Sequence, residues 1–206
     1  MVERAGRYPV EWGVATRCRP GEGTSGDLAV VQLLPEGALV AAIDGLGHGR
    51  EAARAARAAG QVVRERPSRD LVLLVERCHS ALRDTRGAAI SLAFVSPAEN
   101  SMTWLGVGNV EGRVVSGDRS AGWPKGSLAL RSGIPGHELP SMRASTIDVR
   151  PGDVLVLATD GIEAAFADPL DTSGPTQAIT DRILAAHWRP TDDGLVVAVR
   201  YLGVRS

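Results

Sequence analysis

Four short segments of the chain place an aspartate in a glycine-bearing turn beside an apolar run. The segments are SGD, DGLGHG, TDG and TDDG, and their aspartates are Asp27, Asp44, Asp160 and Asp192. A fold that brings these turns together would form a pocket rich in carboxylate oxygens. Such a pocket suits a hard divalent cation, and a bound cation lowers the pKa of water towards neutrality. The pattern therefore predicts metal-activated water that hydrolyses a phosphate ester.

Each motif taken alone has a simpler interpretation, because Asp-Gly pairs are common in turns. The chain carries two further acids of this kind, Asp118 in a second SGD and Asp153 in PGD, and we interpret both as plain turns. The four motifs differ from these two in their order, their spacing and the β-like runs that flank them.

The composition favours one folded domain, which we expect to span residues 1–206. The chain is 44% hydrophobic and 23% charged, and no apolar run approaches the ~20 residues that cross a bilayer. The first ten residues contain charges and no hydrophobic signal core, so we expect a cytoplasmic protein with no membrane partner. The net charge is −1, from 23 basic and 24 acidic residues, which argues against a nucleic-acid partner.

The alternation of apolar and polar residues gives way to helical spacing in three places. Residues 50–66 repeat arginine at helical intervals and end before Pro67, and Ser68 is the predicted cap of a second helix that ends before Gly87. A third helix is predicted over Thr176–His187. The connections between strands are too short for repeated crossovers, so we expect an α+β fold with mainly antiparallel sheets. Strands are predicted at residues 10–16, 28–34, 38–43, 88–95, 102–107, 112–115, 128–130, 143–149, 154–158 and 195–201.

The four motifs in this order resemble those of the PPM family of protein serine/threonine phosphatases, in its bacterial SpoIIE and RsbX branch. The resemblance runs from about residue 13 to residue 201. It is carried by GTSGD at 23–27, AAIDGLGHG at 41–49, LATDGIEAAF at 157–166 and TDDGLVVAVRY at 191–201. It implies an αββα sandwich, in which two mainly antiparallel sheets are flanked by helices.

The resemblance also implies a centre of two Mn²⁺ or Mg²⁺ ions at one end of the sandwich. Asp44 matches the carboxylate that touches both ions, and Gly45 matches the residue that offers its backbone carbonyl. Asp192 or Asp193 is the last ligand, and we favour Asp192, with Asp193 in a supporting position. A water between the ions would attack phosphorus in line. The implied catalytic residues are Asp27, Asp44, Asp160 and Asp192, and the implied metal-site residues are these four with Gly45 and Asp193.

Three other residues near the motifs have open roles. His48 either protonates the leaving oxygen or serves as a hydrogen-bonding residue at the start of a helix. Arg17 and Arg19 lie where many family members place an arginine that holds the phosphate. The arginines at 50, 54, 57 and 64 form either a solvated helix face or a dock for an acidic or phosphorylated partner.

The RsbX branch is the most similar in the DGLGHG segment and in GVGNVEG at 106–112. This likeness implies a phosphoserine and phosphothreonine phosphatase whose partners are phosphorylated STAS-domain proteins of the stressosome, acting as negative feedback on a bacterial stress response. Two alternatives stay open. One is a SpoIIE-like phosphatase of a free anti-anti-sigma factor, and the other is a non-catalytic binding domain with the same fold.

Overall fold

Two β-sheets face each other, and helices cover the outer side of each. A computed structural model describes residues 8–118, 126–167 and 169–203. In chain order its strands are β1 (Val10–Arg17), β2 (Asp27–Leu34), β3 (Gly37–Gly45), β4 (Ala88–Ser96), β5 (Ser101–Val107), β6 (Glu111–Val115), β7 (Gly126–Ser127), β8 (Leu130–Arg131), β9 (Ser145–Asp148), β10 (Val154–Ala158) and β11 (Gly194–Tyr201). The helices are α1 (Gly49–Glu65), α2 (Leu71–Leu82) and α3 (Thr176–His187), with a 3₁₀ turn at Ala164–Ala167.

The strands pair mainly with antiparallel neighbours. One sheet has the order β1-β11-β10-β6-β7, and the other has the order β2-β3-β4-β5-β8, with β9 also paired to β5. The short β5–β8 pair is parallel, and the other strand pairs among the described residues are antiparallel. This architecture confirms the predicted α+β class.

Strand residues alternate between two buried environments. Val40 and Ala42 of β3 lie in the core between the sheets, whereas Leu39, Ala41 and Ile43 lie in a second core beneath α1 and α2. On the opposite sheet, β11 alternates in the same way between the central core and a third core beneath α3. A central strand that is covered on both faces is therefore apolar at nearly every position. The four layers confirm the predicted αββα sandwich.

Helix α1 approaches its sheet closely because its buried face consists mainly of alanine and glycine, with Val63 as the larger residue. The approach is closest at the DGLGHG segment, where a Cβ on Gly45 would lie 2.0 Å from the Ala52 carbonyl oxygen. No side chain fits at residue 45, so the packing of α1 requires glycine directly after Asp44. None of the helices in the described ranges combines the length and the apolar character that a bilayer span requires.

Two local predictions were wrong. Asp70, and not Ser68, caps α2, because the Asp70 side chain accepts from the Leu73 N–H at 3.0 Å. The Ser68 hydroxyl instead accepts from the Asp70 N–H at 3.1 Å, which shapes the preceding turn. In place of the predicted strand at 128–130 there are two strands of two residues each, β7 in one sheet and β8 in the other, because the chain crosses between the sheets there. An apolar triplet carries too little periodicity to reveal such a crossing.

The two acids interpreted as plain turns lie outside the acidic pocket. Asp118 is exposed, and its N–H donates to the Ser116 hydroxyl at 3.2 Å. Asp153 is only 3% exposed, and its carboxylate accepts from the N–H groups of Gly117 and Arg150 at 3.0 and 2.7 Å. Its turn therefore stabilises the fold by joining two loops.

Candidate metal centre

Asp27 and Asp44 are direct neighbours across the β2–β3 ladder. Asp27 is the first residue of β2 and faces Asp44 near the end of β3. Directly opposed residues in an antiparallel pair have Cβ atoms about 5 Å apart. The Gly45 N–H donates to the Gly26 carbonyl at 3.1 Å and extends the pairing past both acids. Two aspartates from separate motifs therefore lie side by side at one sheet edge.

Asp160 and Asp192 come from the opposite sheet. Asp160 follows β10 and Asp192 precedes β11, and these strands are antiparallel neighbours, so both acids lie at the same end. Thr159 connects this end to the other sheet, because its hydroxyl donates to Asp27 Oδ2 at 2.8 Å. The same hydroxyl accepts from the Leu195 N–H at 2.9 Å. The structure thus brings all four predicted acids to one end of the sandwich.

Asp193 differs from its neighbour Asp192 because both of its carboxylate oxygens already have backbone donors. Oδ1 accepts from the Arg19 N–H at 2.8 Å, and Oδ2 accepts from the Gly26 N–H at 2.7 Å. The residue is 3% exposed, whereas Asp192 is half-buried. Asp193 therefore anchors the loop that leads into Asp27, whereas the Asp192 carboxylate accepts from the Asp193 N–H at 2.9 Å through Oδ1.

The turn after β10 packs tightly against the Asp192-Asp193 segment. A Cβ on Gly161 would lie 1.7 Å from the Asp193 carbonyl oxygen, so only glycine fits after Asp160. The Trp188 indole N–H donates to the Asp192 carbonyl at 3.0 Å from the other side. These contacts hold the two late acidic motifs together.

The electrostatics of the pocket are those of crowded like charges. Burial, followed by the charges of Asp27, Asp160, Asp192 and Asp193, raises the pKa of Asp44 to about 9. Burial also raises the pKa of Asp27 to about 7, against the opposing effect of the Thr159 hydrogen bond. The pKa of Asp160 is raised by burial and by Asp192, and the charge of Arg189 acts in the opposite direction. Carboxylates that raise one another's pKa in this way are suited to a bound cation.

The donor set fits a magnesium or manganese site that is completed by the ion. Carboxylate oxygens and a backbone carbonyl are the ligands that these hard cations prefer. Within the described ranges, no group of three or more acidic, imidazole or thiol side chains already stands in a metal-holding arrangement. Because the acids repel one another, the final positions of their side chains depend on the ion.

Two residues of this pocket were missed by sequence reasoning. The Asn109 side-chain amide donates to Asp160 Oδ2 at 2.6 Å. The Arg189 N–H donates to the Gly161 carbonyl at 2.8 Å, and its own carbonyl accepts from the Asp192 N–H at 3.2 Å. Asn109 was interpreted only as part of a tight connection, although the β5–β6 turn reaches this end. The position of Arg189, three residues before Asp192, was its only sequence signal.

The three residues with open roles have defined contacts. His48 Nδ1 lies 2.6 Å from Glu22 Oε1, and His48 occupies the position before α1 without capping it through its side chain. The Arg17 guanidinium lies 4.8 Å from the centre of the Trp188 ring. Arg19 contributes its backbone N–H to Asp193. Next to the acidic motifs, His48 is therefore within hydrogen-bond distance of a carboxylate, Arg17 stacks on an aromatic ring, and Arg19 donates a backbone hydrogen bond.

Residues 35–201 match the family model described as Stage II sporulation protein E (SpoIIE). The chain belongs to the SpoIIE family. This SpoIIE-family chain is 26% identical, over 144 residues, to "Phosphoserine phosphatase RsbX" of Bacillus subtilis (strain 168), and the match covers 70% of each protein.

Two solved structures share the fold of this SpoIIE-family chain. One is a chain from work on the bacterial stressosome as a modular system adapted to control secondary messenger signalling. It is 29% identical, has a TM-score of 0.83, and the match covers 93% of this chain and 99% of that one. The other is RsbX in complex with magnesium, at 21% identity and a TM-score of 0.84, with 98% and 100% of the two chains covered. The predicted family, the PPM fold and the enzyme class, a metal-dependent phosphatase, are confirmed.

Proposed function

We propose that this SpoIIE-family phosphatase removes phosphate from phosphoserine and phosphothreonine on STAS-domain proteins of a stressosome. The observation that carries the catalytic part is the pairing of Asp27 with Asp44 across β2–β3, in a pocket shared with Asp160 and Asp192. The likeness to RsbX and to a chain from the stressosome work supports the substrate class. In this role the enzyme resets its partners after a kinase has acted, which is negative feedback on a stress response.

The proposed cofactor is a pair of Mn²⁺ ions, with Mg²⁺ as the alternative. Asp44 would contact both ions, Gly45 would offer its carbonyl, and Asp160 and Asp192 would complete the set, with Asp27 beside them. When bound, the cations supply a water of lowered pKa and balance the charge of the phosphate. We assign Asp192 as the direct ligand because backbone N–H groups occupy both oxygens of Asp193.

The residues around these acids orient them before substrate arrives. Thr159 holds one oxygen of Asp27, and Asn109 holds one oxygen of Asp160. Such hydrogen bonds fix the direction of a ligand and commonly affect metal affinity or activity by about 10–100-fold. Asp193 acts on Asp27 indirectly, because its carboxylate accepts from the Gly26 N–H and so positions the loop that leads to Asp27. The chain thus contributes carboxylate oxygens that neighbouring residues orient in part and whose mutual repulsion is relieved by cation binding.

Arg189 is the proposed contact for the phosphate itself. Its backbone is held between Gly161 and Asp192, its side chain is exposed, and its charge opposes the rise that burial and Asp192 cause in the pKa of Asp160. A guanidinium at this position can donate two hydrogen bonds to phosphate oxygens. It would thereby orient phosphorus for in-line attack by water, in which a bond from the water oxygen to phosphorus forms, the P–O bond to the serine or threonine oxygen breaks, and that oxygen gains a proton from water.

The test is phosphate release from two phosphoproteins, a stressosome STAS protein and a free anti-anti-sigma factor, with Mn²⁺ and with chelator. We expect metal-dependent release, faster from the stressosome protein, that is lost in Asp44→Asn and Asp160→Asn. Asp118→Asn is the control for an aspartate outside the pocket, because Asp118 repeats the Ser-Gly-Asp sequence of the pocket residue Asp27.

Three outcomes would contradict parts of this proposal. Release that is unchanged by chelation and by both pocket substitutions would exclude metal-dependent hydrolysis. Preferential turnover of the free anti-anti-sigma protein would favour the SpoIIE-like alternative. Partner binding by the wild type without any phosphate release would favour a non-catalytic domain.

A further inference from the structure

Five exposed arginines form a continuous surface beside the acidic pocket. We call it the arginine surface and define it as Arg50, Arg54, Arg57, Arg83 and Arg86. The first three lie on α1, and the last two lie in the turn between α2 and β4. Arg54 joins the two segments, because its guanidinium donates to the Asp84 carbonyl oxygen.

The positive charge of this surface is largely uncompensated. Arg54 pairs with Glu51 at 3.4 Å, and among the described residues the other four have no carboxylate within 4.0 Å. Within residues 50–57 and 83–86, which carry the five arginines, the acids are Glu51 and Asp84, so five positive charges face two negative ones on a chain whose net charge is −1. A concentration of charge on a nearly neutral chain is a local feature and does not follow from overall composition.

The arginine surface reaches the rim of the acidic pocket. The Leu46 N–H donates to the Gly87 carbonyl at 3.0 Å, which joins the DGLGHG loop to the turn that carries Arg86. A Cβ on Gly47 would lie 2.9 Å from Arg86 Nη1, so this guanidinium rests over the loop three residues after Asp44. A molecule seated on the arginine surface would therefore touch the edge of the pocket.

The surface is too long to serve only the phosphate group. Arg50 and Arg57 are seven residues apart on α1, which corresponds to about 10 Å along the helix axis. A phosphate in the pocket cannot contact both of them. The matching ligand is a larger acidic surface, since guanidinium groups pair with carboxylates through two parallel hydrogen bonds.

We propose that the arginine surface docks an acidic face of the phosphoprotein substrate and so delivers its phosphorylated residue to the pocket. This inference rests on the proposed function and adds the site that selects the protein. Charged residues at the rim of an interface act mainly on the rate of association and on its dependence on salt. Arginines outside the pocket should therefore affect phosphoprotein substrates and leave small phosphate esters unaffected.

The experiment compares two substrates on one triple variant, Arg50→Glu/Arg57→Glu/Arg83→Glu. Arg86 stays unchanged because it rests over the metal loop. We expect kcat/KM for the phosphorylated STAS protein to fall at least 10-fold at low salt, mainly through a higher KM. The deficit should shrink in 0.5 M salt, where screening weakens the contribution of these charges in the wild type. Turnover of p-nitrophenyl phosphate should stay within twofold of wild type.

The matched control is Arg69→Glu/Arg150→Glu/Arg182→Glu, which makes the same change in net charge elsewhere. Two of these arginines have their own acidic partners, Glu99 for Arg69 and Asp171 for Arg182. An equal loss in the control, or in turnover of the small ester, would overturn the docking assignment. So would unchanged phosphoprotein kinetics in the surface variant.

Two further measurements separate this inference from the proposed function. If the wild type releases no phosphate from the STAS protein, the proposed function fails and the docking inference fails with it. If the wild type releases phosphate from the STAS protein and the triple variant does so equally well, only the docking inference fails. Binding of anionic vesicles or RNA by the wild type and not by the triple variant, with unaffected phosphoprotein turnover, would assign the surface to another class of partner.

Discussion

The two ends of strand β10 carry aspartates in opposite surroundings. Asp153 precedes the strand and Asp160 follows it, and about seven residues of extended chain separate them by roughly 20 Å. The Asp153 carboxylate accepts from two backbone N–H groups, whereas Asp160 shares its pocket with other carboxylates. Both acids are followed by an apolar or glycine-bearing segment in the sequence. The neighbours therefore decide whether an aspartate stabilises a turn or prepares a cation site.

Asp44→Asn, in the pocket that Asp44 shares with Asp160, and Asp153→Asn should distinguish the two ends of β10 most clearly. We expect Asp44→Asn to lower kcat/KM by about 10³-fold or more, because a cation and its activated water contribute several kcal/mol to catalysis. Asp153→Asn should retain most activity at low temperature and lose about 1–3 kcal/mol of unfolding free energy, through weakened bonds to two backbone N–H groups. Phosphate release and chemical unfolding of both variants test this. A large catalytic loss in Asp153→Asn, with normal stability, would break the comparison.

Arg189→Ala should have the next largest effect at the acidic end. We expect kcat/KM to fall about 10–100-fold and inhibition by inorganic phosphate to weaken in parallel, since a charge-assisted hydrogen bond contributes about 1.5–3 kcal/mol. Arg189→Lys should recover part of the loss. Arg182→Ala, which removes a guanidinium paired with Asp171, is the control. Phosphate inhibition that is unaltered in Arg189→Ala would exclude a contact with phosphate.

Asn109→Ala should sharpen the role of the hydrogen bond to Asp160. We expect the apparent affinity for Mn²⁺ to fall about 10-fold, because the amide that orients this carboxylate is lost. The unfolding temperature of the metal-free variant should stay close to that of wild type, since Asn109 is exposed. Calorimetric titration with Mn²⁺ measures the first quantity. If the variant bound Mn²⁺ with wild-type affinity, the Asn109 hydrogen bond would not be needed to orient the Asp160 carboxylate.

The metal-free protein should lose stability as pH rises. The folded state raises the pKa of Asp44 to about 9, while an unfolded aspartate ionises near 4. Between about pH 4 and pH 9 the folded state therefore binds more protons than the unfolded state, and stability decreases with rising pH. Asp44→Asn should consequently melt several degrees higher than wild type at pH 8 without metal, and Mn²⁺ should stabilise only the wild type strongly. Equal melting curves for both proteins across this interval would contradict the electrostatic account.

His48→Gln should have the smallest effect. The histidine lies beside Glu22 at the start of α1, and a hydrogen-bonding role predicts activity within about threefold of wild type, consistent with the value of one hydrogen bond. The pH–rate profile should keep its shape. A loss above about 100-fold, with one limb of the profile removed, would instead assign His48 as the proton donor to the leaving oxygen.

The order of the four acidic motifs was enough to predict the family, the sandwich and the position of each acid at a strand end. The apolar alternation that flanks Asp27, Asp44 and Asp160 depends on local spacing, which is present in the sequence. The predicted cap of α2, Ser68, was wrong because the residue types of both Ser68 and Asp70 suit that position. The choice between them depends on how the chain enters the helix.

Tertiary structure decided which groups face each acid. The carboxylate of Asp193 bonds to Arg19 and Gly26, both more than 160 residues away, and this contact separates its role from that of Asp192. Asn109 likewise reaches Asp160 from 51 residues away. Residue type and spacing determine that an aspartate stands at a strand end. Only the folded chain determines whether an N–H group or another carboxylate faces it, because those partners come from distant segments.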